Sequence, residues 1–205
     1  SYLYILEKYK GDYNKKFRDV VIFLCLNDIH LSEGVVTAKD LKKKQKKPKE
    51  GIFISILKNE LFLKVNFYLR DKSALFNLMK GLGTNTTKRY YESMLWRYKN
   101  EDSLMKYEDY IKNIKKFLIE NNLNIKFVLL PYTYQIEKKC EKEFLKPQIK
   151  IQKIFKENDI QLYDFTNDFC FHEKGASLFL GFDPVHLSND GHQLVYELIN
   201  KNNIL

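Results

Sequence analysis

Three short apolar runs constrain the fold of this chain more than any other feature of its sequence. They cover residues 20–26, 125–130 and 160–163. The first run is unbroken and rich in β-branched side chains, and it stops abruptly at Asn27 and Asp28, while the second stops at Pro131. Short apolar runs with polar ends are typical of strands buried on both faces, which occur mainly in parallel sheets.

Helical patterns alternate with these strands. We expect helices at residues 2–9, 102–121 and 137–157 and in the stretch that follows Ser188. Asp102 or Ser103 is the expected cap of the clearest helix, and Pro147 is expected to interrupt the next one. The order of strands and helices predicts an α/β fold, a three-layer α/β/α sandwich around a parallel sheet.

The stretch from residue 31 to residue 100 is long for a crossover between two strands. Its apolar pattern is mostly helical over residues 52–82. We interpret about 31–100 as a helical insertion in a single domain of residues 1–205, because a chain of 205 residues is typical of one domain. Its aromatic side chains, Tyr90 among them, are interpreted as core residues rather than a ligand cage.

Much of the net charge of +9 comes from the run between Lys42 and Lys49. Such a run is typical of a solvated loop, and the alternative is a surface that contacts an anionic membrane, polymer or nucleic acid. The sequence has no zinc-finger spacing and no aromatic-basic RNA-binding motif, which argues against specific nucleic-acid binding.

The three cysteines, Cys25, Cys140 and Cys170, form no close pair and no metal-type spacing. Their odd number argues against a disulfide framework. No apolar run reaches the length of a transmembrane helix. No signal peptide is visible, and a leader removed before Ser1 is an open alternative. The compartment, cytoplasm or cell envelope, therefore stays unknown.

The stretch from Gly181 to His192 carries the clearest chemistry. Asp183 and His186 lie three residues apart in a loop that leads into an amphipathic helix, for which Ser188 is the expected cap. A carboxylate that orients an imidazole lets the ring take a proton from a nucleophile. One interpretation is therefore a general-base pair. The other is that Asp183 is a turn former and His186 a buried polar residue.

Polar side chains at two strand ends are expected near this pair. Asn27 follows the first strand and Tyr132 the second, and open α/β sheets bind ligands beyond the carboxyl ends of their strands. The Asn27 amide is suited to donate to a developing oxyanion. Tyr132 and Phe182 are candidates for lining a substrate pocket, with simple packing as the alternative for each. Together these residues indicate part of an acyl-transfer site.

These segments resemble the SGNH, or GDSL-type, hydrolase family. Residues 25–28, Cys-Leu-Asn-Asp, are similar to the family's strand that ends in Gly-x-Asn-Asp, with the glycine replaced. Residues 183–192 are similar to its Asp-x-x-His block, which runs through Leu-Ser and a glycine into a helix, and residues 127–131 to its strand before a proline loop. The resemblance spans residues 1–200, with 31–100 as the divergent part.

The resemblance implies a flavodoxin-like sandwich and a serine-type ester hydrolase, an acylhydrolase or acyl transferase that needs no metal and no cofactor. His186 would be the general base, Asp183 its orienting partner and Asn27 an oxyanion-hole donor. The serine would attack an ester carbonyl, and water or another acceptor would resolve the acyl-enzyme. The substrate would be a small-molecule, lipid or carbohydrate ester, and the sequence does not choose among them.

The family's nucleophile block does not occur in this sequence. There is no Gly-Asp-Ser, and the Gly-Asp-Tyr of residues 11–13 is no substitute because tyrosine lacks an aliphatic hydroxyl. The chain is interpreted as a family member without its first two strands, so residues 1–205 alone are expected to fold poorly. The serine would lie in a missing amino-terminal segment or chain. The alternatives are a degenerate, non-catalytic binding domain and Ser1 as an amino-terminal nucleophile.

A metal site is a further alternative. The histidines with nearby acids are His30, His172, His186 and His192. No pair of them has the spacing of a zincin-type metal motif, which disfavours this interpretation.

Overall fold

The computed structural model of the protein describes residues 2–12, 20–32, 68, 69, 72, 73, 75, 85–181 and 183–205. The chain divides into two compact units, one formed by Ser1–Gly34 with Thr87–Leu205 and the other by Val35–Thr86. The second unit lies within the predicted insertion. The prediction of one domain interrupted at about 31–100 stays a prediction, and the lysine run from Lys42 to Lys49 lies outside the described residues.

The elements that the structure describes follow one another along the chain. They are α1 (Tyr2–Tyr9), β1 (Val20–Leu24), a 3₁₀ helix (Leu26–Ser32), α2 (Thr86–Lys99), α3 (Glu101–Glu120), β2 (Ile125–Leu129), α4 (Thr133–Glu137), a 3₁₀ helix (Lys142–Leu145), α5 (Lys146–Glu157), β3 (Leu162–Asp164), α6 (Thr166–Cys170), a 3₁₀ helix (Gly175–Leu178) and α7 (Asn189–Lys201).

β1, β2 and β3 form a parallel sheet in that order. Val20 pairs with Ile125 at one end of β1, and Leu24 pairs with Leu129 at the other. The predicted mixed α/β fold with a parallel sheet is confirmed. β1 ends earlier than predicted because Leu26 already begins a 3₁₀ helix.

The first strand is less buried than its sequence indicates. Phe23 is 38% exposed, although the prediction was a strand covered on both faces. β1 lies at one edge of the described sheet, so its outer side has no neighbouring strand among the described residues.

Side chains on opposite faces of β2 belong to two separate apolar clusters. Phe127 and Leu129 belong to one and Val128 to the other, as the alternation of side chains along a strand requires. The first cluster also contains Ile111 and Ile114 of α3 and Ile151 and Phe155 of α5. The second cluster also contains Phe169 of α6 and Leu194, Val195 and Leu198 of α7. Apolar groups therefore cover both faces of the central strand.

The helix starts differ from the sequence prediction at two places. Asn100, rather than Asp102 or Ser103, caps α3, because its Oδ1 accepts the backbone N–H of both residues at 2.9 and 3.3 Å. Pro147 lies in the first turn of α5 instead of interrupting a longer helix. A proline is tolerated there because the first helical N–H groups have no partner within the helix.

The closing helix α7 follows its sequence pattern. Ser188 is its N-cap, with Oγ accepting the Gly191 N–H at 3.3 Å. The predicted apolar stripe is buried and consists of Leu194, Val195, Leu198 and Ile199. Over the described part of the chain, we find no helix that combines the length and the apolar character needed to cross a membrane.

A disulfide joins Cys140, in the turn after α4, to Cys170 at the end of α6. Their Cα atoms are 5.9 Å apart. The argument against disulfides from the odd cysteine count is therefore wrong for this pair. A sequence separation of 30 residues gave no sign that the two side chains lie together in the fold, and Cys25 is the cysteine left as a free thiol.

Candidate active site

The carboxyl ends of β1 and β2 bring two predicted site residues to one edge of the sheet. β1 continues into the 3₁₀ helix that contains Asn27, and β2 continues to Tyr132. The two segments remain paired beyond the strands, since Leu130 N–H donates to the Leu24 carbonyl oxygen at 2.9 Å. Asn27 and Tyr132 therefore follow adjacent parallel strands at the same end of the sheet.

Thr133 attaches the loop of Asp183 to this end of the sheet. Its hydroxyl donates to the Asp183 carbonyl oxygen at 2.9 Å, and its backbone N–H donates to the Pro184 carbonyl oxygen at 3.1 Å. Thr133 is buried. The loop that contains Asp183 and His186, a pair that we call the dyad, lies 50 residues away in sequence and is thereby held beside Tyr132.

Asp183 and His186 form a preassembled pair. The carboxylate Oδ2 lies 2.8 Å from Nδ1 of the ring, and Oδ1 accepts the backbone N–H groups of Val185 and His186 at 2.9 and 2.8 Å. Asp183 therefore forms a turn and also orients the imidazole. The His186 side chain is 72% exposed, so the interpretation of a buried polar histidine is wrong.

Hydrogen bonding keeps Asp183 ionised. Partial burial raises the pKa of this carboxyl, but the backbone N–H groups of His186 and Val185 and the imidazole outweigh that effect and lower the pKa below its usual value. An ionised carboxylate bound to Nδ1 favours the tautomer with the proton on Nδ1. The Nε2 atom is then free to accept a proton, as a general base requires.

The start of α7 fixes the carboxyl side of this loop. Ser188 N–H donates to the Leu178 carbonyl oxygen at 2.9 Å, and Leu180 N–H donates to the His186 carbonyl oxygen at 2.9 Å. Gly191 lies against the same part of the chain, where a Cβ would overlap the Leu178 carbonyl oxygen. The glycine that follows the dyad is thus required by the close approach of the helix to a backbone carbonyl.

Two buried polar atoms near this end of the sheet lack partners. Among the described residues, neither Asn27 Oδ1 nor the Tyr132 hydroxyl has a hydrogen bond. Tyr132 is 0% exposed, and its ring centroid lies 5.5 Å from that of Tyr90, a half-buried residue of α2. Buried polar groups of this kind normally have partners, so each of these two atoms lacks a hydrogen bond that such groups usually make.

Burial and neighbouring polar groups shift the pKa of Tyr90. Burial raises the pKa of the Tyr90 hydroxyl; polar interactions with the side chains of Tyr132 and Asn27 oppose that rise, and the charge of Asp183 adds to it. Of these side chains, Tyr132 packs against Tyr90, with ring centroids 5.5 Å apart.

The predicted pocket residues have different outcomes. Tyr132 is fully buried, and its role as a substrate-lining residue stays a prediction. Phe182 lies outside the described residues.

Asp28, the neighbour of Asn27, forms hydrogen bonds at the outer edge of β1. Its Oδ2 accepts the Cys25 N–H at 2.7 Å and the Tyr2 hydroxyl at 2.8 Å, and that hydroxyl also lies 3.0 Å from the Phe23 carbonyl oxygen. Burial raises the pKa of Asp28, although the bonds from Cys25 and Tyr2 oppose the rise. The aspartate of the Asn-Asp pair is thus bonded to the backbone just after β1 and to a tyrosine side chain of α1.

A serine nucleophile is not found beside the dyad in the part of the chain that is described. No serine hydroxyl there is hydrogen-bonded to His186, and those of Ser177 and Ser188 donate to carbonyl oxygens. Ser1, Ser55 and the side chain of Ser32 lie outside the described residues. Within the same ranges, no group of three or more His, Cys, Asp or Glu side chains is arranged to hold a metal ion.

Two residues of the site were missed by sequence reasoning. Thr133 had a signal, because a polar residue directly after Pro131 and Tyr132 lies at the end of a predicted strand. No such signal pointed to Tyr90, because this residue lies in the stretch interpreted as a helical insertion, whose aromatic side chains were assigned to the core.

Comparison with known proteins adds no relative. No protein-family model, curated protein or solved structure matches the chain. The resemblance to SGNH hydrolases therefore rests on the residues quoted above.

Proposed function

We propose that this protein is a serine-type ester hydrolase or acyl transferase of the SGNH type. In this proposal His186 is the general base, Asp183 orients it, and Asn27 donates to the oxyanion. The nucleophilic serine would come from outside residues 1–205, in a separate segment or chain.

The single observation that carries the proposal is the geometry of the dyad. Asp183 Oδ2 lies 2.8 Å from His186 Nδ1, and two backbone N–H groups hold the other carboxylate oxygen. The imidazole is 72% exposed, which leaves its far nitrogen accessible to a substrate or nucleophile. A carboxylate held this firmly, with an exposed ring, is suited to general-base work.

The arrangement of the sheet is compatible with the scaffold that the resemblance implies. Helices α3 and α5 contribute to the apolar cluster of Phe127 and Leu129, whereas α6 and α7 contribute to that of Val128. Because these side chains point to opposite faces of β2, helices on both faces would give the proposed three-layer α/β/α sandwich.

The proposed reaction has two halves. His186 Nε2 takes the proton of the serine hydroxyl as Oγ attacks the ester carbonyl, and Asn27 stabilises the oxyanion. The imidazolium then protonates the leaving alcohol, which departs and leaves an acyl-enzyme. Water, or an acceptor alcohol in a transferase, loses its proton to Nε2 as it attacks the acyl group, and the imidazolium returns that proton to the departing serine oxygen. Asp183 stabilises the imidazolium in both halves.

The substrate class stays broad. Small-molecule, lipid and carbohydrate esters all fit an acyl-transfer site of this kind. The lysine run from Lys42 to Lys49 would favour an anionic surface, but it is an argument from charge alone.

A non-catalytic binding domain on the same scaffold is the second candidate. It is favoured by one observation, that no described serine hydroxyl is hydrogen-bonded to His186. In that case the dyad would be a structural turn at the start of α7.

Labelling by a fluorophosphonate probe separates the two candidates. The full-length protein is treated with the probe as wild type, His186→Ala and His192→Ala, and hydrolysis of a short-chain ester is measured in parallel. His192 is a matched control because it is exposed on α7 close to the dyad in sequence. The hydrolase predicts that labelling and turnover are lost in His186→Ala alone. No labelling and no turnover in the wild type would support the binding domain.

A further inference from the structure

Leu180 is bonded through its backbone to both residues of the dyad. Its N–H donates to the His186 carbonyl oxygen at 2.9 Å, and its carbonyl oxygen accepts the Asp183 N–H at 3.0 Å. The first bond belongs to a short antiparallel pairing, and the second closes a turn that leads from Leu180 to Asp183. The position of Leu180 relative to the dyad is therefore set by hydrogen bonds.

The register of this pairing places Leu180 opposite His186. Phe179 pairs with Leu187, and the bond from the Leu180 N–H to the His186 carbonyl oxygen joins the next two residues along the pairing. Opposite residues of an antiparallel pair have Cα atoms about 4.5–5.5 Å apart and project their side chains from the same face. The side chains of Leu180 and His186 are therefore neighbours.

These two side chains lie on the exposed face of the pairing. Phe179 is 3% exposed, and Leu187 packs against the same apolar cluster. Because side chains alternate between the two faces along a strand, Leu180 and His186 project the other way. Their exposures agree with this, at 51% for Leu180 and 72% for the His186 side chain. A half-exposed leucine thus lies beside the exposed ring of the proposed base.

The proposed reaction brings the alcohol part of the ester to this leucine. The imidazolium protonates the leaving alcohol, so the alcohol oxygen must come within about 3 Å of Nε2 of His186. The carbon atoms of that alcohol then lie against the surface around the ring, to which Leu180 contributes an apolar side chain. Contact between apolar groups removes both from water and is favourable. An alkyl chain gains from this contact, whereas an alcohol covered with hydroxyl groups does not.

We propose that Leu180 is a specificity-determining residue that packs against the alcohol group of the ester and favours alcohols with an apolar alkyl chain. This inference rests on the proposed ester chemistry of Asp183 and His186. It names a substrate class within that chemistry, the esters of apolar alcohols.

Two series of esters, hydrolysed by the full-length protein, test the inference. In one the alcohol grows from methyl acetate to hexyl acetate, and in the other the acyl chain grows from methyl acetate to methyl hexanoate. In the wild type kcat/KM should rise with the alcohol chain, by up to about fourfold for each methylene that is buried. In Leu180→Ala kcat/KM for hexyl acetate should fall about tenfold. That for methyl acetate should stay within about twofold, since its alcohol has no chain to bury.

Leu180→Met and Ile149→Ala are the controls. Methionine keeps an apolar side chain of similar volume, so Leu180→Met should retain the preference for hexyl acetate. Ile149 is 57% exposed on α5, and its replacement should leave both series unchanged. An equal fall of kcat/KM for every ester in Leu180→Ala would show a purely structural role of the leucine and would overturn the inference.

The other outcomes separate the inference from the proposed function. A wild-type protein without turnover or probe labelling overturns both. An active wild type that does not prefer hexyl to methyl acetate, or keeps that preference in Leu180→Ala, overturns only the inference. A loss confined to the acyl series would place Leu180 on the other side of the ester and would also overturn it, whereas a loss confined to the alcohol series supports it.

Discussion

The Thr133 hydroxyl donates to the Asp183 carbonyl oxygen at 2.9 Å, across 50 residues of sequence. The neighbouring carbonyl oxygen, that of Pro184, accepts the Thr133 N–H at 3.1 Å. Since Thr133 begins α4 just beyond the end of β2, these two bonds set the position of the dyad relative to the end of the sheet. The Asp183–His186 pair therefore depends on a residue that does not belong to it.

Thr133→Val keeps the shape of this side chain and removes its hydroxyl. We expect a loss of about 1 kcal/mol in the free energy of unfolding, because the Asp183 carbonyl oxygen loses its donor. If the protein is an ester hydrolase, turnover should fall by about tenfold as the loop shifts. Urea unfolding and ester hydrolysis measure the two effects. Thr133→Ser retains the hydroxyl and should behave like wild type, and equal effects in both variants would contradict the argument.

The contribution of Asp183 to the free energy of unfolding should depend on pH. Its pKa in the folded protein lies below the ordinary value of about 3.9. The unfolded chain therefore binds this proton at higher pH, so the contribution is fully present above about pH 5 and is lost as the pH falls through the folded-state pKa. The difference in unfolding free energy between wild type and Asp183→Asn should shrink from about pH 5 to about pH 2. A difference that grows on acidification would refute this.

The contribution of Asp28 to the free energy of unfolding should change with pH in the opposite direction. Burial raises its pKa in the folded protein, so the folded state holds the proton to higher pH than the unfolded chain does. The wild type should lose stability as the pH rises from about 4 through the folded-state pKa. In Asp28→Asn the amide oxygen can still accept the Cys25 N–H, and that loss should disappear. Urea unfolding at a series of pH values measures it, with Asp183→Asn as the comparison of opposite sign.

The sequence predicted those elements that are stabilised by contacts between residues close together in the chain. The apolar stripe and Ser188 cap of α7 were both readable, because a helix repeats every few residues and its cap bonds within one turn. The parallel sheet followed from the order of elements. The cap of α3 was misplaced at Asp102 or Ser103, since Asn100, Asp102 and Ser103 are all suited to cap a helix and lie close together in the sequence.

The site was predictable only where its residues are neighbours in sequence. Asp183 and His186 lie three residues apart, so their hydrogen bond was readable. The contacts of Thr133 with Asp183 and of Tyr90 with Tyr132 join residues that only the fold brings together, and periodicity carries no trace of such pairs. The disulfide between Cys140 and Cys170 could not be predicted for the same reason.

The disulfide between Cys140 and Cys170 closes a loop with a sequence separation of 30. Loss of a cross-link of this length is expected to cost about 3–4 kcal/mol, mainly through the entropy of the unfolded chain. Urea unfolding with and without a reductant measures the loss, and Cys140→Ser with Cys170→Ser should reproduce it. Cys25→Ser is the control, because Cys25 is not cross-linked and burial raises the pKa of its thiol to about 12. An unchanged unfolding midpoint in reductant would contradict the role of the cross-link.

Gly191→Ala tests whether the glycine after the dyad is needed for packing. A Cβ at this position would overlap the Leu178 carbonyl oxygen and come within 3.1 Å of the Leu178 carbonyl carbon. Both are backbone atoms, and the oxygen already accepts the Ser188 N–H, so neither can move without disturbing the start of α7. We expect a loss of about 1–3 kcal/mol in unfolding free energy, together with reduced probe labelling if His186 is a base. Gly181→Ala is the control, since a Cβ there meets nothing within 4 Å. Equal stability of the two variants would mean that α7 can withdraw from Leu178, and that its close approach does not position the dyad.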